Sequence, residues 1–333
     1  MNTILRIEKL KKHYPIQKGI FSKKSGVVKA VDGVSIEIQR GQTVGLVGES
    51  GCGKSTIGKT LLSLQPATAG RAEFDGEVLF DIEKNYKASQ QRLMAVRKKM
   101  QVIFQDPYAC LDPRMSVESI LTEGIRKHFH YTRTQRREIA AQLLHNCGLS
   151  EESLQKYPHQ FSGGQRQRIG IARALSLQPE FIVCDEPTAA LDVSIQSQIL
   201  NLMLELKKEF SLSYLFISHD LQIVRHFCDE IYVMYLGRVV ERAQAKSLFT
   251  HPLHPYTKAL LKSMPDFESG KSKIRAAIHG EIPSPSSPPK GCLFHTRCPY
   301  IEPNCLQTQE LEIAGEGHWV ACHKYHTFNE VVS

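Results

Sequence analysis

Apolar and polar residues alternate through Ile4-Leu5-Arg6-Ile7-Glu8-Lys9-Leu10 and again through Val34-Ser35-Ile36-Glu37-Ile38. That period of two predicts a half-buried antiparallel β-layer, with a turn at Arg40-Gly41. Thr43–Val47 is a short apolar strand, and beyond it Ile57, Leu61, Leu62 and Leu64 fall at helical spacing. Residues 71–99 are mixed and polar, and no element is assigned to them. Lys99–Phe104 returns to strand character and delivers Gln105. From Asp106 to Leu149 the pattern is helical: Thr132 and Gln135 can form a capping box ahead of Ile139, Leu143, Leu144 and Cys147. A helix over Gly163–Leu175 leads to the strand Phe181–Cys184. An amphipathic helix carrying Ile195, Ile199, Leu202, Met203, Leu206 and Phe210 follows, then strands at Tyr214–Ile217 and Ile231–Tyr235. Strands alternating with helices imply a parallel sheet with crossovers. The proline-rich run Glu281–Lys290 reads as a polyproline-like linker that sets off a small, distinct tail.

Length and charge narrow the picture. At 333 residues the chain suits a large α/β domain with an appendage, and 41% hydrophobic with 23% charged residues is ordinary globular usage. No apolar stretch approaches the ~18 residues of a membrane span. The opening MNTILRIEKLKKHYP lacks the pattern of a secretory signal, so a cytosolic protein, or one peripheral on a cytosolic membrane face, is expected. The net charge of +8 is densest over Lys18–Lys29, with Lys23 and Lys24. Gly and Ser surround that run and no aromatic residues interleave it, so it reads as a solvated loop and nucleic acid is not an expected partner.

Three short motifs carry chemistry. Gly48-Glu49-Ser50-Gly51-Cys52-Gly53-Lys54-Ser55 fits the phosphate-loop pattern G-x-x-x-x-G-K-S/T between a strand and a helix. Its glycines let backbone N–H groups face a β-phosphate at a helix N-terminus. Lys54 would bridge the β- and γ-phosphates, and the Ser55 hydroxyl would ligate Mg²⁺. Downstream, Phe181–Cys184 ends in Asp185-Glu186: the first carboxylate is placed to hold the metal shell and the second to act as general base. Between the two motifs lies Phe161-Ser162-Gly163-Gly164-Gln165, which opens a helix able to bind an anion although the chain's own loop already holds one.

Together these motifs resemble the ATP-binding cassette (ABC) superfamily over the first three-quarters of the chain. The resemblance implies an α/β ABC nucleotide-binding domain: a P-loop NTPase core with an antiparallel β subdomain and an α-helical subdomain, followed by a small cysteine-containing C-terminal regulatory tail. The expected boundaries are an ATPase domain over 1–250, with its helical subdomain at about 106–178, and an extension over 251–333. It further implies that Gly48 to Ser55 and Thr56 cradle ATP, with Tyr14 stacking on adenine. Ser55, Gln105 and Asp185 would surround Mg²⁺, and Glu186, Gln105 and His219 would form the catalytic set. Ser162, Gly163, Gly164 and Gln165 would grip the ATP of a second subunit in a head-to-tail sandwich, with Asp192 coupling the two sites.

The C-terminal segments Thr250–Leu261 (with His254-Pro255-Tyr256), Gly280–Pro285 and Gly291–Pro299 resemble the oligopeptide/dipeptide importer ATPases, and Phe161 suits the second ATPase subunit of that family. The resemblance implies a paralogous ATPase partner, two membrane permeases, indirect work with an extracytoplasmic peptide-binding protein, and a peripheral place on the cytoplasmic face of the bacterial inner membrane. Nickel, an antimicrobial peptide or a glycan-derived peptide are alternative cargoes. A soluble cassette of DNA repair or translation is the other class, but neither a long heptad insertion nor a second cassette is present. Cys292, Cys298, Cys305 and Cys322 are spaced C-x5-C-x6-C-x16-C. Four thiolates can bind Zn²⁺ or a [4Fe–4S] cluster, with His318 and His323 as substitutes, or can simply pack as reduced thiols. Resemblance favours the cluster.

Overall fold

The computed structural model describes residues 2–16, 26–264 and 280–329. Lys18, Lys23 and Lys24 of the basic run lie outside the described residues. The expected antiparallel layer is a five-stranded sheet in the order Val27–Gln39, Thr3–Pro15, Ala69–Phe74, Glu77–Asp81, Tyr86–Lys87. Ile7 faces Ile36 across the first pair, and Leu10 faces Val34, as the alternation requires. The strand Ala69–Phe74 falls where no element was expected. Its inward positions are Gly70, Ala72 and Phe74, while Arg71 and Glu73 pair with each other at 2.6 Å on the outer side. Two small inward residues give too weak an apolar signal to read as a strand. The same unassigned segment also holds the strands Glu77–Asp81 and Tyr86–Lys87 and the helix Gln90–Lys99, capped by Ser89.

The second sheet runs Glu312–Gly315, His318–Val320, Arg238–Gln244, Glu230–Tyr235, Thr43–Val47, Ser213–Ser218, Phe181–Asp185, Met100–Ile103. Its last five strands are parallel. Every residue of Thr43–Val47, Ser213–Ser218 and Glu230–Tyr235 is buried, because crossovers cover both faces of a parallel sheet. The helical lobe comprises Pro107–Cys110, Val117–His128, Arg133–Asn146 and Gly163–Leu175. The Thr132–Gln135 capping box is formed as expected, and Arg137 joins Glu118 across two of these helices at 3.0 Å. No helix among the described residues is long and apolar enough to cross a membrane.

The tail is not set apart from the rest. The run 281–290 carries no helix or strand, but the chain beyond it returns and adds His318–Val320 to the edge strand Arg238–Gln244, with Glu241 opposite Val320 and Arg242 opposite Trp319. Phe294 is buried in the main core and stands edge-on to Tyr235, ring centroids 5.4 Å apart. Glu241, 0% exposed, fastens the junction: its carboxylate accepts the backbone N–H of Leu253 (2.7 Å) and His254 (2.9 Å), and its Oε1 meets Nε2 of His318 at 2.7 Å. Sequence could not show this, since a polyproline run looks like a linker whether or not the chain folds back after it. Glu241→Ala would strand three buried partners and should cost about 3 kcal/mol. Thermal melts should show a lowered Tm and limited proteolysis should release the tail; an unchanged melt with a protected tail would refute the node.

Candidate active site

Strand Thr43–Val47 runs into the loop 48–53, which turns directly into the helix Lys54–Leu61. The loop fits only without side chains at two points. A Cβ on Gly48 (φ 152°) would lie 2.2 Å from the Met234 carbonyl, and one on Gly53 (φ 109°) 2.0 Å from the Ala30 carbonyl. The loop is thus clamped between the strand Glu230–Tyr235 and the antiparallel layer. Buried Lys54 turns back along it, its Nζ donating to the carbonyls of Gly48 (2.8 Å) and Glu49 (3.0 Å). Ser50 and Gly51 form the exposed crest. Cys52 lies beneath, its thiol pKa pushed up by burial and its carbonyl accepting the Gly237 N–H. The Thr56 carbonyl stays in the helix, bonded by the Thr60 hydroxyl at 2.7 Å.

The acidic pair closes on this loop. The Ser55 hydroxyl donates to Asp185 Oδ1 at 2.6 Å. Burial raises the Asp185 pKa, against that hydrogen bond, which lowers it. Glu186 adopts a left-handed backbone (φ 49°), a conformation of order 1 kcal/mol unfavourable for a non-glycine residue. Its N–H is tied to the Ile217 carbonyl at 3.0 Å. Its Oε2 accepts from Gln105 Nε2 at 3.2 Å and meets His219 Nδ1 at 3.0 Å. So Lys54, Ser55, Asp185, Glu186, Gln105 and His219 do converge, from four strand ends. A carboxylate oriented by an amide and an imidazole can take a proton from water, and the Ser55–Asp185 pair offers oxygen ligands to a hard cation.

The remaining expected residues are placed differently. Ser162 caps the helix Gly163–Leu175 in a capping box with Gln165, and its hydrogen bonds stay within that helix start. Gly163 and Gly164 lie against Leu191 and Ile195, a Cβ on Gly164 falling 2.6 Å from Ile195 Cγ2. Asp192 caps the helix Val193–Phe210, accepting from the Ile195 N–H at 3.0 Å, and its pKa is lowered by that bond first. Tyr14 is opposite Val28 on the strand pair that touches the loop, with its hydroxyl on Gln65 and Lys12 Nζ 4.7 Å from its ring centre.

Three residues at the loop were not anticipated. The guanidinium of Arg297 grips both carboxylate oxygens of Glu49, at 2.8 and 3.0 Å. It also donates to the Tyr235 hydroxyl at 3.3 Å, and the hydroxyl of Tyr256 accepts the Glu49 N–H at 2.9 Å. No local signal announces contacts spanning two-thirds of the chain: Tyr256 and Arg297 lie in the segments Thr250–Leu261 and Gly291–Pro299 and Tyr235 ends a predicted strand, but none of the three carried an expected role at the loop.

Cys292, Cys298, Cys305 and Cys322 line one pocket beside His323. All four are free; burial raises the thiol pKa of Cys292 and Cys298 and pushes that of Cys322 up to about 12. Among the described residues no group of three or more His, Cys, Asp or Glu is arranged to hold a metal ion. Nor do the histidines stand free as ligands: His318 is committed to Glu241 and Ser247, and His323 to Glu302 and Gln309.

Comparison with known proteins places this geometry. Residues 31–189 match the ABC transporter family, and residues 240–305 match the oligopeptide/dipeptide transporter C-terminal region. The chain is 50% identical over 327 residues to the oligopeptide transport ATP-binding protein AppF of Bacillus subtilis (strain 168), covering 97% of this chain and 98% of that one. It is 46% identical over 320 residues to the dipeptide transport ATP-binding protein DppF of Escherichia coli (strain K12), covering 96% and 93%. Among solved structures, the ATP-binding cassette MJ0796, dimeric in a post-hydrolysis state with ADP and Pi, aligns with a TM-score of 0.63 at 26% identity over 73% of this chain and 99% of that one. CbiO1 of Clostridium perfringens, part of the ABC transporter complex cbiONQ, aligns with a TM-score of 0.62 at 27% identity over 75% and 92%.

The half-buried acid at this site has a thermodynamic signature. Because the folded Asp185 pKa is raised, the unfolded chain ionises first as pH climbs, and stability is lost from about pH 4 upward. Asp185→Asn should therefore melt above the wild type at pH 7 and lose that advantage below about pH 4, where both states hold the proton. A lower Tm than wild type at pH 7 would contradict the assignment.

Proposed function

Since the chain belongs to the ABC transporter family, within its oligopeptide/dipeptide branch of ATP-binding subunits, we propose that it hydrolyses ATP to energise uptake of di- and oligopeptides through membrane permeases. The observation that carries the reading is the Glu186 carboxylate held between Gln105 and His219 beside the Lys54–Ser55 helix start. Glu186 is the general base that takes a proton from the attacking water. Gln105 and His219 fix its carboxylate, and His219 also reaches the γ-phosphate. Lys54 leaves the loop carbonyls for the β- and γ-phosphates, at a helix N-terminus whose positive end favours the anion. Ser55, Gln105 and Asp185 would hold Mg²⁺, which when bound neutralises charge on the phosphate oxygens. The oxygen donors of Ser55 and Asp185, 2.6 Å apart, suit such a hard cation.

Tyr14 offers an aromatic face for adenine. Ser162 to Gln165, with Ser162 and Gln165 exposed at the helix start, grip the ATP of a second, paralogous ATPase subunit, with Asp192 at the joint. The dimeric state of the similar cassette MJ0796 supports that sandwich. The helical lobe docks on the permeases at the cytoplasmic face of the inner membrane, and an extracytoplasmic peptide-binding protein delivers the cargo. Cys292, Cys298, Cys305 and Cys322, which line one pocket, are the thiols that would ligate a [4Fe–4S] cluster.

Glu186→Gln, assembled with its partner subunits, should retain ATP binding yet lose about 10²–10⁴-fold in turnover. It should also accumulate a dimer that crosslinks from position 162 to the neighbour's phosphate loop. Wild-type turnover, or no crosslink with turnover blocked, would overturn the reading. For the tail, chain purified without oxygen should carry iron, sulfide and visible charge-transfer absorbance; metal-free protein with an intact tail would remove the cluster.

A further inference from the structure

We propose that Arg297 of the C-terminal extension is a positioning residue of the ATP site: it neutralises Glu49 within the phosphate loop, so that the loop presents net attraction to a triphosphate. The proposal deepens the reading of 48–55 as that loop and rests on it.

Glu49 follows Gly48 directly, and its carbonyl shares Lys54 Nζ with that of Gly48. A free carboxylate here would repel an incoming triphosphate and compete with it for the Lys54 ammonium. Arg297 removes that competitor. Its two terminal nitrogens meet the two carboxylate oxygens at 2.8 and 3.0 Å, the paired geometry a lysine cannot reproduce. The arginine side chain is only 4% exposed, against 22% for Glu49, so the pair is shielded from solvent on the arginine side. The guanidinium lies 5.8 and 5.9 Å from the ring centres of Tyr235 and Phe294, and its Nε is buried with no hydrogen-bond partner. A buried cation that leaves one of its own donors unsatisfied is placed there for its charge toward Glu49, not for a complete hydrogen-bond set of its own. Tyr256 fixes the same residue from the backbone side, accepting the Glu49 N–H at 2.9 Å. Tyr256 is itself held by His254, whose Nδ1 accepts the Tyr256 N–H at 3.0 Å. Two separate stretches of the extension therefore converge on one residue of the loop, one cancelling its charge and one fixing its peptide.

The test uses the full chain, trinitrophenyl-ATP and trinitrophenyl-ADP as probes, and ATP hydrolysis by the assembled transporter. Arg297→Ala should weaken binding of the triphosphate by about tenfold and of the diphosphate by less, because the repulsion scales with phosphate charge. In hydrolysis, KM for ATP should rise by a larger factor than kcat falls. Adding Glu49→Gln to Arg297→Ala should recover most of the lost affinity, since no uncompensated anion then remains. Arg297→Lys, which keeps the charge but not the fork, should fall between wild type and Arg297→Ala, and it carries the comparison if the alanine variant folds poorly. Equal affinities in wild type and the Arg297 variants would overturn the proposal. So would a double variant no better than Arg297→Ala, which would mean that the arginine acts by packing alone. Failure of the wild-type chain to bind either probe would instead overturn the loop assignment itself.

Discussion

Parallel pairing in register is the constraint on which this site depends. Val47 lies opposite Ser218, Asp185 opposite Ile217 and Ile103 opposite Cys184, so four strands leave the sheet at one edge. The phosphate loop, the acidic pair, His219 and Gln105 follow those ends and meet there, though far apart along the chain. A slip of one residue in any of these strands would turn its side chains to the opposite face. The central strands Thr43–Val47 and Ser213–Ser218 are buried throughout, so the core resists such a slip, and the geometry of the site is inherited from packing.

The same edge concentrates conformations that ordinary folding would avoid. Glu186 holds a left-handed backbone, Asp185 is a carboxylate whose burial raises its pKa, and the glycines at 48 and 53 sit against backbone carbonyls that exclude any side chain. Each is unfavourable locally and persists because the surrounding sheet and helices over-determine it.

The C-terminal extension belongs to the same mechanical unit. It lengthens the central sheet through His318–Val320, joins the core through Phe294, and is locked at Glu241. It then touches the nucleotide loop at Glu49 from two directions. A change of state in the pocket of Cys292, Cys298, Cys305 and Cys322 would thus begin one residue away from Arg297, and Arg297 is in direct contact with the loop.

Wherever the information was local, the chain spelled it out. The helix Gly163–Leu175, the Thr132–Gln135 box, the strand before Asp185 and the residues of the phosphate loop each follow from periodicity, capping chemistry or a motif a few residues long. The strand Ala69–Phe74 escaped because its inward side is mostly glycine and alanine, and the tail looked detached because its linker is rich in proline. Partnership across distance was invisible to local pattern: that Glu49 belongs to Arg297 and Tyr256 and that His318 pairs with Glu241, while the meeting of Glu186 with Gln105 and His219 was expected only through the family resemblance. Backbone preference and side-chain period act over one or two turns of chain, so they write themselves into sequence; a contact between remote segments is fixed only when burial and strand register bring the two surfaces together.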